Sequence, residues 1–222
     1  VIATSPSTKR ILITDYGVPE PHVTVAEPGT DPAQRATGTG TPMQLLCVGT
    51  ITPRKGYDVL VEALEPLRDL DWRLTIAGPD DRDSETTAAL RTQITAASLH
   101  DRITLSGGVV PATLDRFSES ADVFIMPSLY EGYGMALGEA MARGLPIICT
   151  TGGAAAETVP EGAAIKVAPG RSEFLTRALQ NLLSDRKQRI RLADAAWEAG
   201  RKLPTWSETA RRVAAVIMGL KA

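Results

Sequence analysis

The chain has 222 residues, 43% of them hydrophobic, and a formal net charge of −2 at pH 7. These values fit one large globular domain, or one domain with an appendage, and they give no general attraction to nucleic acid or to anionic lipid. The sequence has no apolar run of about 18 residues and no signal-peptide pattern at its start, so we expect no membrane span and no signal peptide. The two cysteines, which are expected not to form a disulfide, fit a cytoplasmic protein.

The first 35 residues do not resemble the start of an independent domain. Residues 1–5 are predicted as the end of a buried strand, residues 6–16 as a helix and residues 22–26 as a short strand. Residues 32–42 are rich in proline, glycine and threonine, which predicts a linker.

A regular alternation of strand and helix patterns begins at Met43. The predicted strands are residues 44–48, 72–77, 102–105, 123–126, 145–149 and 163–167. The predicted helices are residues 55–70, 84–98 with Ser84 as the cap, 111–118, one from about 134, a short one ending at 159, 171–184, 186–201 and 206–220. This alternation implies right-handed crossovers and an α/β fold, a Rossmann-like doubly wound parallel sheet of about six strands with helices on both faces. The ligand crevice of such a sheet lies at the carboxyl ends of its strands.

Both cysteines, Cys47 and Cys149, lie in apolar runs, which favours buried thiols. In the expected strand order another strand separates them, so they would be about 10 Å apart, too far for a disulfide. Neither His22 nor His100 lies near a serine or cysteine nucleophile motif, which leaves a serine or cysteine hydrolase unsupported.

The most informative stretch is Ala121–Glu139, with the sequence ADVFIMPSLYEGYGMALGE. A buried strand ends at Pro127, Gly132 and Gly134 predict a flexible turn, and a helical pattern follows. A glycine-rich loop before a helix presents backbone N–H groups to an anion. With a glutamate on each side, at 131 and 139, the stretch suggests a site for a phosphorylated sugar or a nucleotide. The alternative is an ordinary strand, turn and helix with glutamates on a solvated surface.

The run Glu131-Gly132-Tyr133-Gly134, with Glu139 after it, resembles the E-G-F-G-x-x-x-x-E signature of group-1 (family four) retaining glycosyltransferases, which have the two-domain GT-B fold. Tyr133 replaces the more usual phenylalanine. The resemblance covers roughly residues 1–220. It implies that residues 36–222 are the carboxy-terminal, nucleotide-sugar-binding domain, and that residues 1–35 are a remnant of the amino-terminal half with the interdomain crossing.

The resemblance also assigns roles to individual residues. Glu131 is implied to be catalytic, holding hydroxyls of the transferred sugar and helping to position its anomeric carbon. Glu139 is implied to bind the ribose hydroxyls, and the backbone of Val109 the base. The remaining substrate-binding residues expected in the central loop and helix, where backbone N–H groups would hold the distal phosphate and sugar, are Gly132, Tyr133, Gly134, Met135, Ala136 and Leu137.

A second loop, residues 49–56, carries a basic pair. Lys55 at a helix start could reach a phosphate as a point charge, and Arg54 could bind two oxygens at once. In the family a lysine of this loop binds the diphosphate, and Lys55 matches it. Many members have an arginine where this chain has Thr50, so Arg54 is expected to contribute in its place or the diphosphate to be held less tightly. The alternative is a basic pair on a surface turn.

Asp81 and Asp83 form an Asp-x-Asp after a predicted strand. Single-domain (GT-A) glycosyltransferases use this pattern to hold a divalent cation, but negative charge also stabilises the start of a helix. We expect the second role, and therefore no metal and no cofactor.

The resemblance thus implies the donor-binding domain of an enzyme that transfers a sugar, expected to be a hexose, from a nucleoside diphosphate sugar to an unknown acceptor. The amino-terminal GT-B half, which supplies the acceptor site, is expected as the missing partner, so we expect this chain alone to be inactive. The alternative function is a nucleotide- or sugar-phosphate-binding module without catalysis.

Overall fold

The computed structural model describes residues 1–219, in which strands and helices alternate. The strands are β1 (Ile2–Ala3), β2 (Thr24–Val25), β3 (Met43–Val48), β4 (Trp72–Ala77), β5 (Ile103–Gly107), β6 (Val123–Met126), β7 (Ile147–Thr150) and β8 (Ala164–Val167). The helices are α1 (Pro6–Thr14), α2 (Tyr57–Leu64), α3 (Ser84–Ala96), α4 (Pro111–Ser120), α5 (Met135–Ala142), α6 (Ala155–Thr158), α7 (Ser172–Ser184), α8 (Arg186–Gly200) and α9 (Trp206–Gly219). The predicted end of the last helix, at residue 220, lies outside the described residues.

Six of the strands form one parallel sheet in the order β5-β4-β3-β6-β7-β8. The order reverses direction between β3 and β6, as in a doubly wound fold. The predicted Rossmann-like α/β architecture is therefore confirmed. β1 and β2 pair in a separate two-stranded parallel sheet.

The core lies on both faces of the six-stranded sheet. In β3, Leu45 and Cys47 belong to the buried cluster on one face and Leu46 to the cluster on the other. Successive side chains of a strand point to opposite faces, so a strand that is apolar at nearly every position must be covered on both. Helices provide that cover, since α2 packs against α7 and α5 against α8.

The helix predicted over residues 55–70 is shorter than expected. Lys55 lies in a 3-10 turn, Pro53–Lys55, and Gly56 in the left-handed region, with a φ of 63°, separates this turn from α2. A second 3-10 turn, Glu65–Leu67, replaces the end of the predicted helix because Pro66 has no N–H to donate. Lys55 is therefore positioned by a loop rather than by a helix start.

The predicted cap of α3 was also wrong by one residue. Asp83, rather than Ser84, precedes the helix, and its side chain accepts a hydrogen bond of 2.9 Å from the N–H of Thr86. Both residue types satisfy the free N–H groups of a first turn.

The two cysteines lie as predicted. Cys47 is on β3 and Cys149 on β7, with β6 between them, and both are free and buried. Burial raises the pKa of the Cys149 thiol to about 12, although the ammonium of Lys166 counteracts part of the effect. Burial raises the pKa of Cys47 further. Neither thiol is ionised at neutral pH.

Among the helices of residues 1–219, none combines the length and the apolar character that crossing a membrane requires.

The segment predicted as a linker is anchored at its carboxyl end. The carboxylate of Asp122 accepts hydrogen bonds from the N–H groups of Thr39 at 3.2 Å, Gly40 at 3.0 Å and Gln44 at 2.8 Å. Asp122 directly precedes β6, so these bonds attach the segment to the central strands of the sheet.

Replacing Asp122 with alanine should lower the free energy of unfolding by about 1–3 kcal/mol, because several N–H groups lose their acceptor. Urea denaturation followed by circular dichroism measures the change. Asp69→Ala removes an exposed aspartate and should change the free energy of unfolding by less than about 0.5 kcal/mol. Equal stability of wild type and Asp122→Ala would mean that this carboxylate does not anchor the segment.

Candidate functional site

A cavity of about 430 Å³ lies at the carboxyl ends of β3 and β6. Eight of the twelve residues predicted for the site line it: Lys55, Glu131, Gly132, Tyr133, Gly134, Met135, Ala136 and Glu139. The other four, Thr50, Arg54, Val109 and Leu137, are outside this lining. The loops after two adjacent strands thus meet where the doubly wound order predicts a ligand crevice.

The carboxylate of Glu131 is contacted by three side chains, and only 6% of the residue is exposed. Its Oε1 accepts hydrogen bonds of 2.7 Å from both Lys55 Nζ and Ser128 Oγ. Its Oε2 lies 3.2 Å from Nη1 of Arg54. The side chain is therefore held by two cations and a hydroxyl.

These contacts determine the ionisation of Glu131. Burial on its own would raise the pKa of the carboxyl group, but the hydrogen bonds from Lys55 and Ser128 and the charges of Lys55 and Arg54 more than offset it. The pKa of Glu131 is consequently below its usual range, and the residue is a carboxylate at neutral pH.

Lys55 and Arg54 contact different oxygens of this carboxylate. The Lys55 side chain is largely buried, and a Cβ on Gly49 would lie 3.0 Å from its Cε, so the glycine leaves room for the lysine. Arg54 is about half exposed and also donates to the carbonyl oxygen of Tyr130. Two residues predicted to bind phosphate therefore bind the predicted catalytic carboxylate in this structure.

The loop after Glu131 is held through its carbonyl groups. The carbonyl oxygen of Glu131 accepts from the N–H of Ala154 at 2.7 Å. The carbonyl oxygens of Gly132 and Tyr133 accept from the hydroxyls of Thr8 and Thr158. In a trans peptide the N–H points opposite to the carbonyl, so the N–H groups of the same three peptide units point away from these anchors.

Five successive N–H groups, those of residues 132–136, have no hydrogen-bond acceptor within residues 1–219. They belong to the end of the loop and the first turn of α5, where helix N–H groups have no partner inside the helix. The N–H of Leu137, by contrast, donates to the carbonyl of Gly134 at 2.8 Å, and its side chain is fully buried. Ala136 is therefore the last residue of this run whose N–H group has no acceptor within residues 1–219.

Gly134 has a φ of 90°, and a Cβ there would lie 3.0 Å from a methyl group of Leu137. The position therefore favours glycine for both conformation and space.

Glu139 stands at the border between this cavity and a second one of about 470 Å³. Desolvation by the surrounding protein raises the pKa of its carboxyl group. The charge of Arg143 opposes this shift, and the charges of Asp31 and Asp115 add to it. Val109 is half-buried and packs against the cluster around β6 and β7.

Sequence reasoning missed Ser128 and Thr150. Ser128 is fully buried and donates to Glu131, while its own carbonyl accepts from the hydroxyl of Thr150 at the end of β7. The available signal was position, because both residues follow or end strands that are adjacent in a doubly wound sheet.

Asp81 and Asp83 of the Asp-x-Asp motif, and Asp80 directly before it, make contacts within their own region of the chain. Asp83 caps α3, Asp80 pairs with Arg91 at 2.8 Å, and Asp81 lies 3.7 Å from Arg82. Within residues 1–219 no group of three or more histidine, cysteine, aspartate or glutamate side chains is arranged to hold a metal ion. A metal-free reaction stays a prediction.

A family model described as Glycosyl transferases group 1 matches residues 32–199. The chain belongs to the group-1 glycosyltransferases. Among the relatives of this group-1 glycosyltransferase chain, mannosylfructose-phosphate synthase of Agrobacterium fabrum is 29% identical, over 99% of this chain and 52% of the relative. The chain spans about half the length of the curated relatives it matches.

Two solved structures share this fold. Sucrose-phosphate synthase from Thermosynechococcus elongatus superposes with a TM-score of 0.87 at 26% identity, covering 99% of this chain and 58% of that one. Anabaena HepE in complex with UDP and glucose has a TM-score of 0.87 at 20% identity, covering 98% of this chain and 62% of that one. The predicted group-1 family and GT-B type of fold are confirmed, and one half of a two-domain fold agrees with these coverages.

The ionised Glu131 should contribute a stability that depends on pH. Its pKa is below the ordinary value of about 4.3, so the contribution is complete above that value and is lost as the pH falls through the lowered pKa. Glu131→Gln should be less stable than wild type at neutral pH by about 1–3 kcal/mol, and the difference should shrink toward pH 3.

Urea denaturation across this pH range measures the difference. The matched control is Glu62→Gln, which changes an exposed glutamate on α2 and should stay close to wild type throughout. A stability difference for Glu131→Gln that does not change with pH would contradict the ionised, hydrogen-bonded state described above.

Proposed function

We propose that this chain is the donor-binding half of a retaining glycosyltransferase, which transfers a hexose from a nucleoside diphosphate sugar to an acceptor. The observation that carries the proposal is the group of five free N–H groups, residues 132–136, in one cavity with Lys55 and Glu131. Donors for phosphate oxygens and an acceptor for sugar hydroxyls therefore line the same cavity.

The phosphates are the part of the donor that the backbone recognises. N–H groups at a helix N-terminus bind anions through both hydrogen bonds and the helix dipole. In the proposed complex, the N–H groups of Gly134, Met135 and Ala136 bind the distal phosphate and Lys55 adds a charge. Arg54 and Thr50 stand in the same loop as Lys55 and are proposed as weaker contributors.

The transferred sugar is the part that Glu131 recognises. A carboxylate accepts but does not donate, so it suits the hydroxyls of a sugar. The side chain is ionised and held in place, which favours a fixed position for the anomeric carbon next to the diphosphate. Nothing lies within 4 Å of where a Cβ on Gly132 would be, so open space remains beside it.

The nucleoside is proposed to lie toward Glu139 and Val109, with the ribose hydroxyls at Glu139. A structural neighbour, Anabaena HepE, was solved with UDP and glucose, which supports uridine as the first base to test.

No metal or cofactor is proposed for the reaction. Lys55 and the free N–H groups would stabilise the leaving diphosphate in place of a divalent cation. Transfer is proposed for the protein that combines this domain with an amino-terminal half, of which residues 1–35 are proposed as a remnant. The chain alone should transfer no sugar, because orientation and exclusion of water require both halves.

The proposal predicts that this chain binds a nucleoside diphosphate without a metal. Isothermal titration calorimetry with UDP, GDP and ADP, each with EDTA and with Mg²⁺, measures this. At least one should bind in EDTA, and uridine, guanosine or adenosine without phosphates should bind far more weakly. Binding that appears only with Mg²⁺ would contradict the proposal, and so would binding of none of the three.

Lys55→Ala should weaken binding of the same nucleotide by about ten- to a hundredfold, since a charge-assisted hydrogen bond contributes roughly 1.5–3 kcal/mol. Added salt should reduce the difference in affinity between wild type and variant, because the cavity is open and the pair between Lys55 and the diphosphate is partly screened. Lys187→Ala, which removes an exposed lysine on α8, is the control and should bind like wild type. Unchanged affinity of Lys55→Ala at low salt would remove Lys55 from the phosphate site.

A further inference from the structure

We infer that Ser128 is a positioning residue that aims the carboxylate of Glu131 into the cavity, and that Thr150 holds Ser128 in turn. The effect on sugar binding rests on the proposed function, but the geometry does not. Ser128 Oγ donates to Glu131 Oε1 at 2.7 Å, and the Thr150 hydroxyl donates to the carbonyl of Ser128. Both residues are at most 2% exposed.

This chain of hydrogen bonds crosses from one strand to the next. Ser128 is the second residue after the end of β6 and directly follows Pro127. Thr150 is the last residue of β7. The backbone of Glu131 is held from the same direction, since its N–H donates to the carbonyl of Gly152 at 3.1 Å. The main chain and the side chain of Glu131 are therefore both held by residues at the carboxyl ends of β6 and β7.

The segment between Ser128 and Glu131 gives this hydrogen bond its importance. Leu129 and Tyr130 are among the exposed large apolar side chains of the chain. Each is about two-fifths exposed, and the pair is held mainly through its backbone: the N–H of Leu129 donates to the carbonyl of Arg54 at 2.8 Å, and Arg54 donates to the carbonyl of Tyr130. These contacts fix the main chain, and the hydrogen bond from Ser128 spans the pair and adds a short constraint on the carboxylate itself.

The three groups that bind the carboxylate differ in how firmly they hold it. Lysine and arginine reach it through long, flexible side chains, whereas serine has a single side-chain torsion and is buried on all sides. When a diphosphate attracts Lys55, the serine remains as the short donor that preserves the orientation. Ser128 is thus needed most in the ligand-bound state.

The first test concerns geometry alone and requires no ligand. The charged and titratable groups that face Glu131 are Lys55, Arg54 and Tyr57. Ser128→Ala removes one hydrogen bond to the ionised form, so the pKa of Glu131 should rise relative to wild type. Carboxyl ¹³C NMR titration measures it, with the Glu131 signal assigned by its loss in Glu131→Gln.

The second test concerns the sugar. For wild type and variants, the affinity for UDP-glucose is divided by that for UDP. In Ser128→Ala this ratio should fall by about five- to tenfold, while the affinity for UDP should stay within about twofold. A purely structural defect would weaken both ligands together.

Three further variants complete the design. Ser128→Thr keeps the hydroxyl and should restore both the titration and the ratio. Thr150→Val removes the supporting hydroxyl without touching Glu131 and should act in the same direction as Ser128→Ala but more weakly, so it tests the inference even if Ser128→Ala does not fold. Ser120→Ala, at the end of α4, is the control and should match wild type.

The two tests separate two failures. An unchanged Glu131 titration in both Ser128→Ala and Thr150→Val overturns the positioning role, whatever the ligands do. If wild type binds neither UDP nor UDP-glucose, and also none of GDP, GDP-mannose, ADP and ADP-glucose, the proposed function fails, while the titration still decides the positioning role.

Discussion

The 2.7 Å ion pair between Lys55 and Glu131 joins two loops that are 76 residues apart in sequence. A single buried charge would be costly, whereas a paired and hydrogen-bonded one is tolerated. The pair therefore requires both loops to come close, and glycine makes this possible: a Cβ on Gly56 would lie 2.4 Å from the carbonyl oxygen of Pro127. Removing Glu131 would leave Lys55 without its carboxylate in the cavity, whereas removing Lys55 would leave Glu131 paired with the half-exposed Arg54.

The order of the strands explains why one cavity can hold such different groups. β3, β6 and β7 are adjacent and parallel, so the loops at their carboxyl ends meet. The loop after β3 contributes the cations, and the loop after β6 contributes the carboxylate and the free N–H groups. The end of β7 and the turn after it hold the second loop from behind, through Thr150, Gly152 and Ala154. The different groups of the site therefore come from different strand ends.

Sequence patterns predicted the six strands and their order, because a strand apolar on both faces is easily recognised. They also selected the two loops of the cavity, but not the pairing of Lys55 with Glu131, since motifs identify which loops meet rather than which side chains touch. The helix over residues 55–70 was misjudged because 3-10 turns and α-helix keep the same apolar face over a few residues. Ser128 was missed because a serine after a strand is also a common turn residue.

The two buried thiols have a practical consequence. Reagents such as maleimides attack thiolates, and neither Cys47 nor Cys149 is exposed or ionised near neutral pH. We therefore expect the folded chain to react very slowly with such reagents. A cysteine introduced at an exposed position near Glu131, as in Tyr130→Cys, would be the one thiol that a fluorophore labels, so the emission would report on the surroundings of this loop without first removing the native cysteines.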